Sequence, residues 1–206
     1  MRLVARVLLG LLGLLVSILL GRRLAQRWQR ARFGRPAVPL AAALLAPERL
    51  LPRLPLEPGM RVLIVGPASP RLVQAVARAA GKYGRVYVLE PTGQRAQRLT
   101  TALRAARAAN VEVLVGRPAR LDLPDSTFDL VLCVGVLADL PQRERALWEM
   151  HRVLRPGGHL SVSEALVGPS YLRRATLQRE ADAVGFTWRE QRGSPLAYTA
   201  NFRKAA

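Results

Sequence analysis

From residue 40 onward the chain predicts a doubly wound α/β sheet, on three observations. Short apolar runs alternate with helix-length stretches, the order of a mostly parallel sheet wrapped by helices. Runs such as Val111-Glu-Val-Leu-Val and Leu130-Val-Leu-Cys-Val are nearly continuous in apolar residues, which suits strands covered on both faces. Between Arg61 and Glu90 the chain reads as strand, Gly66 turn, helix and second strand, closing on an acid 24 residues after the glycine. Such a βαβ unit holds nucleoside-type cofactors over a parallel sheet.

The first 21 residues stand apart from that pattern. Leu3 to Leu20 is apolar except for Arg6, with Ser17 tolerable in a helix. Eighteen residues at 1.5 Å rise span roughly 27 Å, close to a hydrocarbon core of about 30 Å. Arg6 lies near one end and can snorkel to the headgroups. Met1-Arg2 and the leucine run imitate a secretory signal, but no small-x-small cleavage site follows. Arg22, Arg23, Arg27, Arg30, Arg32 and Arg35 follow instead, and the positive-inside rule keeps that flank in the cytoplasm. The expectation is a transmembrane helix over 1–21, a basic juxtamembrane segment and linker over 22–39, and a cytoplasmic domain over 40–206, in a single-pass protein of the cell membrane. Leu24, Trp28 and Ala31 along one side of the basic segment suit the anionic inner leaflet. A solvated charge run that only sets topology is the plainer alternative.

Within the domain, Ala41 to Leu51 predicts a helix that starts afresh at Pro47. Strands are expected at 61–66, 85–90, 111–115, 128–135, 159–164, 186–191 and 197–203, and helices at 70–81, 93–109, 142–154 and 170–184. The last two strands have no helix between them, so they should form an antiparallel pair at one edge of a seven-stranded sheet. Ser69 is a good N-cap and proline is favoured at the first helical position, so Ser69-Pro70 starts a helix well. Pro156-Gly157-Gly158 predicts a helix stop and a turn into the strand at His159.

Composition narrows the chemistry. Cys133 is the only cysteine, which rules out an intrachain disulfide and a cysteine-rich zinc site, and an apolar strand makes it a core residue. His151 and His159 are the only histidines, so no histidine-based metal centre is expected. The net charge of +18 divides into +8 over residues 1–35 and +10 over the rest, and 30 of the 32 basic residues are arginine. That surplus allows an anionic partner without identifying it. The arginines of the domain are scattered along helices without an aromatic-rich basic motif, so nucleic acid is not the expected partner.

Several segments, in this order and spacing, together resemble the class I S-adenosylmethionine-dependent methyltransferases, in the branch near the quinone-biosynthesis enzymes. They are Glu57-Pro-Gly-Met-Arg-Val-Leu-Ile-Val-Gly66, Leu89-Glu90-Pro91, Leu123-Pro-Asp-Ser-Thr-Phe-Asp-Leu-Val131 and Trp148-Glu-Met-His-Arg-Val-Leu-Arg-Pro-Gly-Gly158. The resemblance covers roughly residues 45–203 and implies a Rossmann-like methyltransferase fold with S-adenosylmethionine as cofactor. It places Gly66, Pro67, Ala68 and Ser69 at the methionine end, where N–H groups at a helix start can meet a carboxylate. Glu90 falls where the family's acid accepts from the ribose hydroxyls. Gly116-Arg117-Pro118 aligns with the adenine-side turn, and Gly135-Val136 with the place where the acceptor approaches.

The departures from the family pattern are specific. Ala68 and Pro70 stand in place of two loop glycines, Ile64 in place of a strand acid, Arg117 in place of the adenine-facing Asp, and Asp139 where many relatives have a histidine. A Cβ at Ala68 crowds the loop and Pro70 lacks an N–H. The resemblance therefore implies a membrane-anchored methyltransferase acting on a lipophilic small molecule or lipid at the cytoplasmic face. The alternative is a catalytically inactive relative serving as a membrane-tethered binding or scaffold module. Methyl transfer to an already nucleophilic acceptor asks mainly for alignment; hydroxyl and carbon acceptors need a base. Asp139 and His159 are the candidates by residue type, and neither is assigned.

Overall fold

The computed structural model describes residues 39–66, 68–166 and 171–205. The expected transmembrane segment, its arginine-rich flank and Pro67 lie outside these. Among the described residues no helix is long and apolar enough to cross a membrane.

The described residues begin with two short helices, α1 (Pro39–Leu44) and α2 (Pro47–Leu50), and a 3-10 turn at Leu51–Arg53. The fresh start expected at Pro47 is therefore present. Ala46 precedes a proline and takes an extended conformation, φ −60° and ψ 147°, which the proline ring next to it favours. Then come β1 (Arg61–Val65), α3 (Pro70–Ala80), β2 (Arg85–Glu90), α4 (Gly93–Ala105), β3 (Val111–Val115) and β4 (Phe128–Val134). A 3-10 turn at Leu137–Asp139 leads to α5 (Arg143–Val153), β5 (Leu154–Ala165), α6 (Arg174–Ala183), β6 (Phe186–Ser194) and β7 (Ala197–Lys204).

Helix α6 starts at Arg174, with residues 171–173 outside it although the expected helix began at 170, and β6 runs on to Ser194 past the expected 191. Two further boundaries differ for local reasons. Helix α4 stops at Ala105 and not at 109, because Arg107 turns left-handed at φ 56°. The Arg107 N–H then donates to Arg104 O and the Ala108 N–H to Leu103 O, both at 3.0 Å, the paired bonds of a Schellman stop. Strand β5 begins at Leu154, ahead of the expected His159. Leu154 pairs Phe128 and His159 pairs Leu130, so Pro156-Gly157-Gly158 lies in a bulge opposite Asp129 and not in a free turn. A Cβ at Gly158 would sit 2.9 Å from Arg155 O and 3.2 Å from Asp129 O, so the close backbone approach there requires glycine.

The seven strands lie in the order β3-β2-β1-β4-β5-β7-β6. The first five are parallel and β7 runs antiparallel to both of its neighbours. The expected antiparallel edge pair is present, with the last strand on the inside and β6 at the rim. Burial explains the order: Ala197 to Phe202 is buried throughout, whereas β6 beyond Phe186 is half-buried or exposed.

Alternate residues of β1 feed the two cores. Val62 and Ile64 join Val73, Val76, Val86, Val88 and Leu99 on one face; Leu63 and Val65 join Leu147, Met150, Leu177 and Phe202 on the other. Cys133 is fully buried in the second core, and burial followed by the charge of Glu164 pushes its thiol pKa well up. Strand order reverses between β1 and β4, so the connections after these strands diverge and open a crevice at their carboxyl ends.

Candidate active site

The loop after β1 reaches its helix without a run of glycines. Ser69 Oγ accepts the Leu72 N–H at 3.2 Å and Pro70 opens α3, so cap and first residue replace the usual loop chemistry. Gly66 has φ 112°, and a Cβ on it would lie 2.6 Å from Val136 Cγ1. The missing side chain therefore lets the turn after β4 seat against the turn after β1.

Glu90 ends β2 and is buried. Its carboxylate receives the Ala68 backbone N–H, and its Oε2 lies 3.0 Å from Arg95 Nε on the first turn of α4. Its backbone carbonyl accepts the Gly116 N–H at 3.0 Å. The loops after β1, β2 and β3 thus converge on one acid. Burial raises the Glu90 pKa above the ordinary carboxylate value, and the Arg95 and Ala68 hydrogen bonds offset only part of that. A cavity of about 250 Å³ opens beside it, lined by Ala68, Pro70, Glu90, Arg95, Arg98 and Leu99.

The remaining expected site residues spread across the same end of the sheet. Arg117 is exposed and bridges backbone-to-backbone with Arg120, while Pro118 is buried. Gly135 is exposed, donates its N–H to Ser163 O at 2.7 Å, and faces Leu45, whose Cδ1 is 3.5 Å from where its Cβ would be. Pro67 falls outside the described residues. Two N–H groups near the helix start that could meet a cofactor carboxylate are already used within the chain, Ala68 on Glu90 and Leu72 on Ser69.

The two candidate bases separate cleanly. His159 lies five residues before Glu164 on β5, about 17 Å back along the strand, and pairs Leu130 and Arg203. Burial, then Arg203, lowers its pKa, and it does not reach the carboxyl ends of the strands. Asp139 does sit there, in the turn after β4, close enough to interact electrostatically with Glu164. Sequence reasoning missed three residues: Arg95, Val136 as a packing partner, and Glu164. The signal for Glu164 was present, since an acid closes the strand Leu160-Ser-Val-Ser-Glu164 much as Glu90 closes β2.

Residues 63–162 match the methyltransferase domain family. Over those residues the chain carries a methyltransferase domain. This methyltransferase domain is similar to the ubiquinone/menaquinone biosynthesis C-methyltransferase of Hydrogenovibrio crunogenus, 34% identical over 113 residues, 53% of this chain and 43% of that protein. It is also similar to the demethylmenaquinone methyltransferase of Geobacillus kaustophilus, 32% identical over 111 residues, 54% of this chain and 47% of that protein. The matches thus span less than half the length of these relatives. Among solved structures, a SAM-dependent methyltransferase from Aquifex aeolicus superposes with a TM-score of 0.73 at 20% identity, covering 81% of this chain and 93% of that one. The [4+2]-cyclase SpnF superposes at 0.70 with 18% identity, covering 80% and 82%. Such distant likeness establishes the fold, and a cyclase among the neighbours shows that the fold alone does not decide the reaction.

S-adenosylmethionine is the cofactor of this methyltransferase family, and the residues present fit it at the ribose end. A carboxylate offers about four lone-pair positions. Arg95 and Ala68 each occupy one at Glu90, which leaves acceptor capacity beside an open cavity.

Proposed function

We propose that the chain transfers a methyl group from S-adenosylmethionine to a lipophilic small molecule of the quinone-precursor kind, from a membrane-anchored position at the cytoplasmic leaflet. The observation that carries this reading is Glu90: a buried acid at the carboxyl end of β2, where the loops after β1 and β3 also meet it. The names of the relatives, which methylate quinone precursors, support the acceptor class. The apolar run Leu3–Leu20 and the arginines that follow support the anchor and its orientation. An anchor raises the effective concentration of an acceptor held in the bilayer. Nothing in the fold or among the relatives favours the non-catalytic alternative.

When bound, the cofactor supplies an activated methyl on a cationic sulfur. Glu90 holds the ribose end, and Gly66, Ala68 and Ser69 line the methionine end. Arg117 and Pro118 flank the base, and Arg117 offers no carboxylate to an adenine amino group. Gly135, at the end of β4, lets the acceptor approach from the side of the sheet away from Glu90. The alignment these walls impose is the main catalytic contribution required of them.

Isothermal titration of the full chain in detergent micelles with S-adenosylmethionine tests the reading. A saturable heat and a raised melting temperature are expected. No heat and no thermal shift at millimolar cofactor would overturn it. Membrane fractionation with protease accessibility tests the anchor separately: the chain should sediment with membranes and be cut only from the cytoplasmic side.

A further inference from the structure

A second carboxyl is buried at the same end of the sheet as Glu90, on the acceptor side. Glu164 is the penultimate residue of β5 and is 1% exposed. It follows Ser163, whose carbonyl holds the Gly135 N–H, so it lies beside the turn after β4. Tyr198 of β7 is its register partner on the other side. The Ala138 backbone N–H donates to its carboxylate, yet Oε1 has no hydrogen-bond partner among the described residues.

The groups facing Glu164 do not neutralise it. Arg143 of α5 is the cation that acts on it, and both its Nε and Nη2 are bound to Glu180 of α6 at 2.6 Å. Asp139 adds a like charge from the turn after β4. Cys133 of β4 and Tyr198 of β7 contribute no cation, and Glu164 raises the pKa of both. Tyr198 is itself occupied, donating its hydroxyl to Leu172 O at 2.6 Å, with Tyr171 and Arg174 interacting with it from beyond. A structural carboxyl would be expected to tie two elements together with both oxygens. This one leaves an oxygen unmatched beside the turn after β4.

We propose that Glu164 contacts the methyl acceptor and takes the proton of an acceptor hydroxyl through Oε1. The proposal rests on the methyltransferase reading above and gives that site its base. The hydroxyl proton passes to the carboxylate, and the electron pair left on oxygen makes the adjacent ring carbon nucleophilic. The carbon's pair forms the carbon–methyl bond as the methyl–sulfur bond breaks, and the bonding pair of the broken bond stays on sulfur. The ring proton then leaves to solvent, and the oxygen recovers its proton from Glu164. Burial, reinforced by Asp139 and only partly offset by Ala138 and Arg143, pushes the Glu164 pKa up to about 8. A base so placed is strong enough to accept a phenolic proton and still partly ionised near neutrality.

The test uses the full chain in micelles with 1,4-naphthohydroquinone as acceptor probe, held anaerobically, and S-adenosylhomocysteine or S-adenosylmethionine. Infrared difference spectra of the wild type should show a protonated-carboxyl band at pH 6 that is lost by pH 10. That band should shift when the hydroquinone is added to the S-adenosylhomocysteine complex. Glu164→Gln should lack the band, bind S-adenosylmethionine within about twofold of wild type, and lose about a hundredfold or more in kcat. It should also lose the rise in rate that the wild type shows toward pH 8. A carboxyl band indifferent to the hydroquinone, or a Glu164→Gln profile that keeps the wild-type rise, overturns the proposal. The wild-type spectra stand without the variant, so misfolding of Glu164→Gln leaves the test intact. Failure of the wild type to bind S-adenosylmethionine is a separate result that overturns the methyltransferase reading and removes the basis of this one.

Discussion

Glu90 and Glu164 lie at the carboxyl ends of different strands of one sheet, are both almost closed to solvent, and yet are built into their surroundings in opposite ways. Around Glu90 the chain supplies a guanidinium and a backbone N–H, and two neighbouring loops close on it. Around Glu164 the guanidinium that acts on it is committed to Glu180, and the Asp139 carboxylate adds repulsion. Burial raises both, but only Glu164 is driven as far as about 8. Low exposure alone therefore does not fix the chemistry: deeper burial and a weaker counter-charge together separate an acid built to hold hydroxyls from one suited to exchanging a proton.

The largest expected effect bears on Glu164. A carboxyl whose folded pKa is raised binds its proton more tightly in the native state, so stability is highest below the unfolded value and falls as pH rises to the folded one. From pH about 4.5 to about 8 the wild type should lose on the order of 4 kcal/mol from this group. Urea unfolding of wild type and Glu164→Gln across that range checks it, since the difference isolates Glu164 from Glu149, whose lowered pKa acts in the opposite sense. A pH-independent difference would erase the contrast between the two acids.

Gly66→Ala tests how the two halves of the crevice are joined. A side chain at φ 112° is strained and would meet Val136 at 2.6 Å, so a loss of about 3 kcal/mol is expected in equilibrium unfolding. Pairing it with Val136→Ala should recover part of the loss by removing the colliding methyls. Glu90→Gln tests the cofactor half directly: S-adenosylmethionine should bind about 10- to 100-fold more weakly by titration, as when a charged hydrogen-bond acceptor is neutralised. The same substitution at Glu164 should leave cofactor affinity nearly unchanged, which sharpens the division of labour. The smallest effect is at the helix start. Ser69→Ala removes the acceptor for the Leu72 N–H and should cost about 1 kcal/mol, visible as a lowered melting temperature.

Much of the cofactor half was legible in the residues because its signals are local. Ser69-Pro70 announces a helix start, Glu90 closes an apolar strand, and both stand where the pattern placed them. The Schellman stop after α4 was not legible, because an arginine at a left-handed position carries no glycine signal. The bulge at Pro156-Gly157-Gly158 was read as a turn, since the same residues serve either purpose and only pairing with β4 distinguishes them. His159 and Asp139 looked equivalent by residue type until the sheet put one at each end of the strands.

By itself the sequence determined the alternation of strands and helices, the covering of both sheet faces, the parallel core with an antiparallel edge and the cofactor-side acid. Each of these follows from periodicity or from residues a few positions apart. Only the tertiary structure decided that β7 lies inside β6, that Gly66 seats Val136, that Arg95 pairs with Glu90, and that Arg143 is drawn to Glu180 and away from Glu164. Each of these depends on which groups share a low-dielectric neighbourhood, and linear order does not encode that. Counter-charges and close contacts act through space, so the chemistry of the two acids was settled only when the strands were laid side by side.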